Sequence, residues 1–408
     1  MTRTIRICSL GIALSLLVVG CGEIGAETKR YPVINTGIEL RGASGFSWCD
    51  ESYIAVWRRK SERGGESEIL YLNVHSPLQA HTLDLSGVQP AVVDVRDLTC
   101  HGRDVIFLSY PRTGQKSNRY AERPFAIYGM TVGHPIELIA LLKHQGPHIN
   151  ARAKYIVANG FRFWGGRAGE IDHDCANYVK PGFKLFCWNI RHRQIWPLSR
   201  FVLAEYRWEE TIQVKGEDGQ PKTIKNPEAP LLGWDGKPQR YALVLYDLEH
   251  QVLTNLTDDP GYAGFGAGVG ALAITPDESY AYGVCVKKPI AHGRGWDSVC
   301  RYRLDGKRNQ VEEVFTIDPD KKFKVVVIHR VAVDSRGNVY VAVTGAKPID
   351  GVWRFHGKTQ KIERLTVLPR SGESRLGVSP DGRWLAFTAL DQGASKLFLM
   401  RIEQGGEQ

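Results

Sequence analysis

Seven short, strongly apolar runs lie along the chain: Glu68–Val74, Phe125–Val132, Lys184–Ile190, Ala242–Leu248, Asp297–Leu304, Asp350–Phe355 and Lys396–Ile402. Each is rich in β-branched, aromatic or Leu residues and has the length of a strand. With Tyr71, Tyr128, Cys187, Leu245, Cys300, Trp353 and Leu399 as equivalents, the steps are 57, 59, 58, 55, 53 and 46 residues. Spacing this even marks an internal repeat.

The surroundings of each run define the repeat. After most comes a polar turn and a second short strand, as in Gln194–Leu198, Gln251–Leu256, Gln310–Phe315 and Lys361–Leu365. Before several lies a hairpin with a tight polar turn: Trp48–Val56, Ile274–Tyr282, Val331–Val343 and Val378–Phe387. Pro, Asp, Gly and Asn at those turns suit a sharp reversal of the chain. One repeat therefore reads as a four-stranded antiparallel blade. Seven of them predict an all-β, seven-bladed β-propeller over residues 31–408, a single domain. After the last run only Glu403–Gln408 remain, too few for a good outer strand. Tyr31–Leu40 is an unassigned strand, so this N-terminal strand is predicted to complete the last blade and protect its edge. Residues 199–240 divide less cleanly. Within them Thr211–Ile224 reads as a hairpin turning at Asp218-Gly219, part of an insertion over residues 209–228.

These hairpins resemble known propeller repeats. Val378-Ser-Pro-Asp-Gly-Arg-Trp-Leu-Ala-Phe387 is similar to the repeat of TolB-like (WD-like) propellers, as is Leu256–Gly261 leading to Ile274-Thr-Pro-Asp277. Val331-Ala-Val-Asp-Ser-Arg-Gly-Asn-Val-Tyr-Val-Ala342 is closer to an NHL-type repeat. The resemblance covers the last third of the chain well and the rest weakly. It implies fold, not function, because such repeats serve binding proteins, lyases and peptidases alike.

The first 20 residues follow a different pattern. Arg3 and Arg6 precede an apolar run from Ile7 to Val19, and Gly20 stands before Cys21. This is the layout of a secretory signal peptide, with an apolar run too short to span a bilayer. Val18-Val19-Gly20-Cys21 resembles the lipobox of bacterial lipoproteins. That resemblance implies a diacylglycerol on the Cys21 thiol, cleavage before it and acylation of the new amino terminus. Residues 1–20 are then the signal and residues 21–30 a lipidated tether. No Asp follows Cys21, so in a two-membrane cell the expected location is the outer membrane, facing the periplasm or the cell surface.

The formal charge is +9, and two of those charges leave with Arg3 and Arg6. The remaining excess is scattered, with no long basic run. It suits a solvated surface near anionic membrane or glycan, and nucleic acid is not an expected partner. Six cysteines remain in an oxidising compartment: Cys49, Cys100, Cys175, Cys187, Cys285 and Cys300. Fifteen pairings are open to six cysteines, and the repeat narrows them. Cys49 and Cys100 fall at the first turn of successive blades. Cys187 and Cys300 are equivalent, each with a cysteine upstream in its own blade, at Cys175 and Cys285. The expected pairs are 49–100, 175–187 and 285–300.

Three features are candidates for chemistry. Glu170-Ile-Asp-His-Asp-Cys175 places Asp172, His173 and Asp174 beside a cysteine, where they could hold a divalent metal; no other cofactor is expected. His144, His148 and His329 precede inner strands and could converge on the central channel with Asp172 or His173, with separate structural histidines as the default reading. Gly261–Gly270 is glycine-rich, but with no helix after it a tight inner strand is the better reading. Trp48, Trp57, Trp164 and Trp188 are candidates for stacking on sugars, with core packing as the default. No G-x-S-x-G, H-E-x-x-H or C-x-x-C motif occurs. The favoured function is a lipid-anchored module that binds or scaffolds an envelope protein or glycan. The alternative is a propeller enzyme, a metal-assisted carbohydrate lyase or a lactonase or esterase, with His148, His329 and Asp172 as first candidates. Replacing Cys21→Ser is expected to release folded protein into the soluble fraction and abolish incorporation of labelled fatty acid. Retention of the serine variant with the membranes would refute the lipid anchor.

Overall fold

A computed structural model describes residues 31–41, 44–60, 66–111, 125–143, 148–159, 175–188, 192–207, 211–215, 220–225, 241–250, 252–256, 262–265, 272–287, 297–306, 311–318, 326–345, 349–366 and 375–402. The chain is a seven-bladed all-β propeller, and no helix occurs among the described residues. Blade 1 runs Gly45–Trp48, Tyr53–Arg59, Ser67–Asn73 and Ala80–Thr82 from the channel outwards. Blade 2 runs Val92–His101, Asp104–Pro111, Phe125–Thr131 and Glu137–Leu142. Blade 6 runs Val326–Val333, Val339–Gly345, Gly351–Phe355 and Ile362–Thr366. Blade 7 runs Leu376–Val378, Trp384–Asp391 and Ala394–Arg401, and its fourth strand is the N-terminal Val33–Glu39. Blade 5 has its inner strand in two pieces, Tyr262–Phe265 and Leu272–Ile274, the first of them in the glycine-rich segment.

Residues alternate between the two faces of every strand, and in the second and third strands of the blades both faces are largely apolar. Ala55 and Trp57 join a core shared with blade 2, whereas Ile54 and Val56 join one shared with blade 7. Seven buried clusters result, one between each pair of neighbouring blades. Seven interfaces among seven blades mean a closed ring. The N-terminal segment serves two of these cores: Tyr31 lies between blades 6 and 7, Ile38 and Leu40 between blades 7 and 1.

Blades 3 and 4 depart from the expected pattern. Gln194–Leu198 reads in sequence as the outer strand of blade 3. Instead His192–Pro197 turns at Ser199-Arg200, pairs with Phe201–Arg207 and forms the inner strand of blade 4. Blade 3 consists of His148–Asn150, Tyr155–Asn159 and Lys184–Trp188, the last pair parallel. The chain between them detours outwards, where Ala176–Val179 adds a fifth strand to blade 2. A parallel return needs such a crossover, whereas a hairpin would have given an antiparallel one. The insertion in blade 4 is a hairpin of Thr211–Lys215 and Pro221–Lys225, as its sequence suggests.

The disulfides pair Cys49 with Cys100, Cys175 with Cys187 and Cys285 with Cys300, with Cα separations of 4.7, 6.2 and 5.7 Å. The first joins the inner strands of blades 1 and 2. The second lies at the detour: Cys175 precedes the strand added to blade 2, and Cys187 is in blade 3, so it ties two blades rather than one. The third lies within blade 5.

Two faces follow from the strand directions. One carries the turns from first to second and from third to fourth strands, and is called the hairpin face. The other is where inner strands begin and second strands hand over to third, and is called the mouth face. On the hairpin face, fully buried Asp334 accepts hydrogen bonds from the backbone N–H groups of Arg336 and Asn338, from Asn338 Nδ2 and from the Tyr340 hydroxyl, at 2.8–3.1 Å. The next turn fits closely against it. Gly382, at φ +70°, leaves room that a Cβ would take at 2.3 Å from the Asp334 carboxylate. Replacing Asp334→Ala takes the buried acceptor from four donors, the buried Tyr340 hydroxyl among them, so a loss of about 2 kcal/mol or more is expected in urea denaturation. A loss below about 1 kcal/mol would show that water replaces the carboxylate without strain.

Candidate functional site

The mouth face gathers charge where blades 7, 1 and 2 meet. The inner strand of blade 2 carries Asp94, Arg96 and Asp97, and its pairing register shifts between Val92 and Asp94 and again between Val95 and Asp97. Bulges of this kind re-aim side chains and occur often beside functional sites. Ser67 and Ser109 hold the irregular backbone, accepting from the N–H groups of Val95 and Val93 at 3.0 and 3.3 Å. Asp94 is gripped from two directions. Arg59, at the end of blade 1's second strand, approaches both its oxygens at 3.2–3.3 Å, and Arg96 Nη2 lies 2.6 Å from Oδ2.

Arg375 reaches the same place from blade 7. Its backbone N–H donates to Thr388 Oγ1 at 2.7 Å, and its guanidinium lies 5.4 Å from the centroid of the buried Trp57 ring. The path crosses Gly45 of blade 1, where a Cβ would stand 2.2 Å from Arg375 Nη1 and 2.5 Å from Trp57. A side chain at position 45 would therefore push the arginine off the indole. Cation–π contact of this kind both orients a guanidinium and covers an aromatic face.

Asp97 lies in the inner strand of blade 2, with its side chain exposed. Desolvation pushes its carboxyl up, opposed by a hydrogen bond from the Leu98 N–H at 2.9 Å and by the Arg375 charge. Beside Arg59 a polar groove of about 200 Å³ continues outwards, lined by Glu39, Arg41, Arg58, Lys60 and Glu68. Arg41 holds the Glu39 carboxyl below its ordinary value. The mouth thus combines several arginines with fewer carboxylates, one of which resists ionisation.

The residues singled out from sequence lie elsewhere. His148 opens the inner strand of blade 3 and is half-buried. His329 sits at a bulge in the inner strand of blade 6, and its Nε2 hydrogen-bonds the Thr344 hydroxyl. Burial and the neighbouring Arg330 charge hold His329 below its ordinary value, favouring the neutral imidazole. Blades 3 and 6 face each other across the channel. Cys21, His144, Asp172, His173 and Asp174 lie outside the described residues. Among the described residues no three His, Cys, Asp or Glu side chains are grouped to hold a metal. Trp57 is committed to packing under Arg375, and Trp48 packs close to Gly377 of blade 7. The sequence reading passed over Asp94, Arg96 and Asp97. Three charges within four residues of an inner strand, where apolar residues normally alternate, was the available signal.

No protein-family model matches the chain, and no curated protein matches it. Among solved structures, the β-propeller domain of Myceliophteria thermophila Cps50 (Swd1) is similar at 11% identity, over 91% of this chain and 98% of that one, with a TM-score of 0.42. A luciferin-regenerating enzyme shares 12% identity over 91% and 95%, with a TM-score of 0.40. An oligogalacturonate lyase in complex with manganese shares 9% over 86% and 74%, with a TM-score of 0.36. Likeness at this level says nothing about activity.

Proposed function

We propose that this chain is a lipid-anchored propeller of the cell envelope that binds a carboxylate-bearing partner at its mouth face. The observation that carries this reading is Arg375, drawn from blade 7 across Gly45 of blade 1 towards Asp97 of blade 2. A guanidinium fixed on an indole loses little freedom on binding an anion, and a planar cation suits a carboxylate. Arg96 and Arg59, which share the single carboxylate of Asp94, add a net positive charge to the same mouth. Attraction to anionic ligands then raises the rate of encounter and makes binding sensitive to salt. Anchorage through Cys21 would confine this binding to the envelope, at the outer membrane in a two-membrane cell. Uronic-acid glycans and acidic protein segments share the required group.

Calorimetry with the soluble domain tests the reading, using an oligouronate, a glutamate-rich peptide and a neutral glucan oligomer as probes. One of the acidic probes is expected to bind at low salt and the neutral glucan not to. Arg375→Ala should weaken that binding about tenfold, or about 1.4 kcal/mol, and Gly45→Val should do the same by displacing Arg375. Equal binding of neutral and acidic probes, or indifference to both substitutions, would refute it.

A further inference from the structure

The direction of the closing strand fixes where the N-terminal tether leaves the propeller. Val33 pairs with Met400 and Glu39 with Lys396, while Arg401 pairs with Trp384 beside the turn at Asp381–Arg383. The closing strand therefore starts at the hairpin face and ends at the mouth face. Tyr31, just ahead of it, is already immobilised. It is buried between blades 6 and 7, its hydroxyl accepts from Arg354 Nη2 at 3.0 Å, and Arg354 is in turn held by Glu363. Only residues 22–30 separate this fixed point from Cys21. Nine residues reach at most roughly 30 Å even when fully extended.

The surface around this exit differs from the mouth. Of the seven large apolar side chains exposed among the described residues, five lie towards the hairpin face: Val33, Leu78, Val252, Leu253 and Ile362. Three of these lie on the closing strand and the blades beside it. Val33 opens the closing strand, Ile362 opens the outer strand of neighbouring blade 6, and Leu78, 75% exposed, tips a turn of blade 1 on the other side. Exposed Lys361 and Arg401 lie in the same sector. Arg383 is there too, paired with Asp381 at 3.4 Å. Apolar tips among cations, beside a short acylated tether, match the interfacial region of an anionic bilayer.

We infer that the hairpin face of blades 6, 7 and 1 rests on the lipid surface and that the channel mouth points away from the membrane. This inference rests on lipidation of Cys21 but not on the identity of any ligand. It turns the arginine cluster outwards, towards partners approaching from the aqueous side, and leaves the far rim of the hairpin face free of lipid.

Full-length mature protein in vesicles of phosphatidylethanolamine and phosphatidylglycerol tests the orientation. Benzophenone side chains are placed singly at Leu78 and Ile362, and at Lys60 and Leu390 near the mouth face. Photolysis and mass spectrometry are expected to find lipid adducts at 78 and 362 at least tenfold above those at 60 and 390. Adducts favouring 60 and 390, or spread evenly over all four sites, would overturn the orientation. The mass of the N-terminal peptide is read in the same samples. An unacylated Cys21 would bring down the anchor and this orientation together, whereas an acylated Cys21 with the wrong adduct pattern would bring down the orientation alone.

Discussion

The structure depends on strands that bury both faces at once. A strand in an open sheet can leave one face to water, but each second and third strand here sends alternate residues into two different cores. Ile54 and Val56 belong to one interface and Ala55 and Trp57 to the next. No blade can be removed without exposing both neighbours, and no blade is stable by itself. The ring must therefore close, and a single strand closes it. Val33–Glu39 supplies the missing edge of blade 7, while Tyr31, Ile38 and Leu40 fill the cores on either side. Hydrogen bonding and apolar burial depend on the same ten residues.

That double burial made most of the fold legible in sequence. A strand covered on both faces reads as a continuous apolar run, and such runs recur at the centre of each repeat. Turns were legible because Pro-Asp, Asp-Gly and Gly-Asn reverse a chain for steric reasons. The closing strand was legible from a deficit at one end and a surplus at the other. Gln194–Leu198 was not. A short amphipathic strand after a third strand looks the same whether it ends one blade or begins the next. What decides is the detour through Ala176–Val179, which pairs with blade 2 and leaves blade 3 short. No local pattern encodes a partner on another blade.

The candidate site was less legible for the same reason. Arg59 meets Asp94, and Arg375 reaches Trp57, only because the ring brings blade 1 next to blade 2 and blade 7 next to blade 1. Gly45 shows how indirect such information is. Its φ is ordinary, and its lack of a side chain matters only because an arginine more than three hundred residues away passes over it. Histidines drew notice in sequence because imidazole is chemically versatile. Chemistry in a propeller depends on which inner strands carry charge and where their pairing slips. On that criterion Asp94, Arg96 and Asp97 stand out, while His329 is already occupied by a neighbouring hydroxyl.

Closure by the N-terminal strand also sets an order of events. The Thr36 hydroxyl donates to the Leu397 carbonyl, a contact spanning 361 residues. In a chain synthesised amino end first, the earliest strand has no partner until the last blade follows. Until then the edge of Val33–Glu39 and the apolar flanks of blade 1 stay unpaired, the condition in which chains pair wrongly or aggregate. The closing strand is thus the first part of the ring to be made and the last to find its partner.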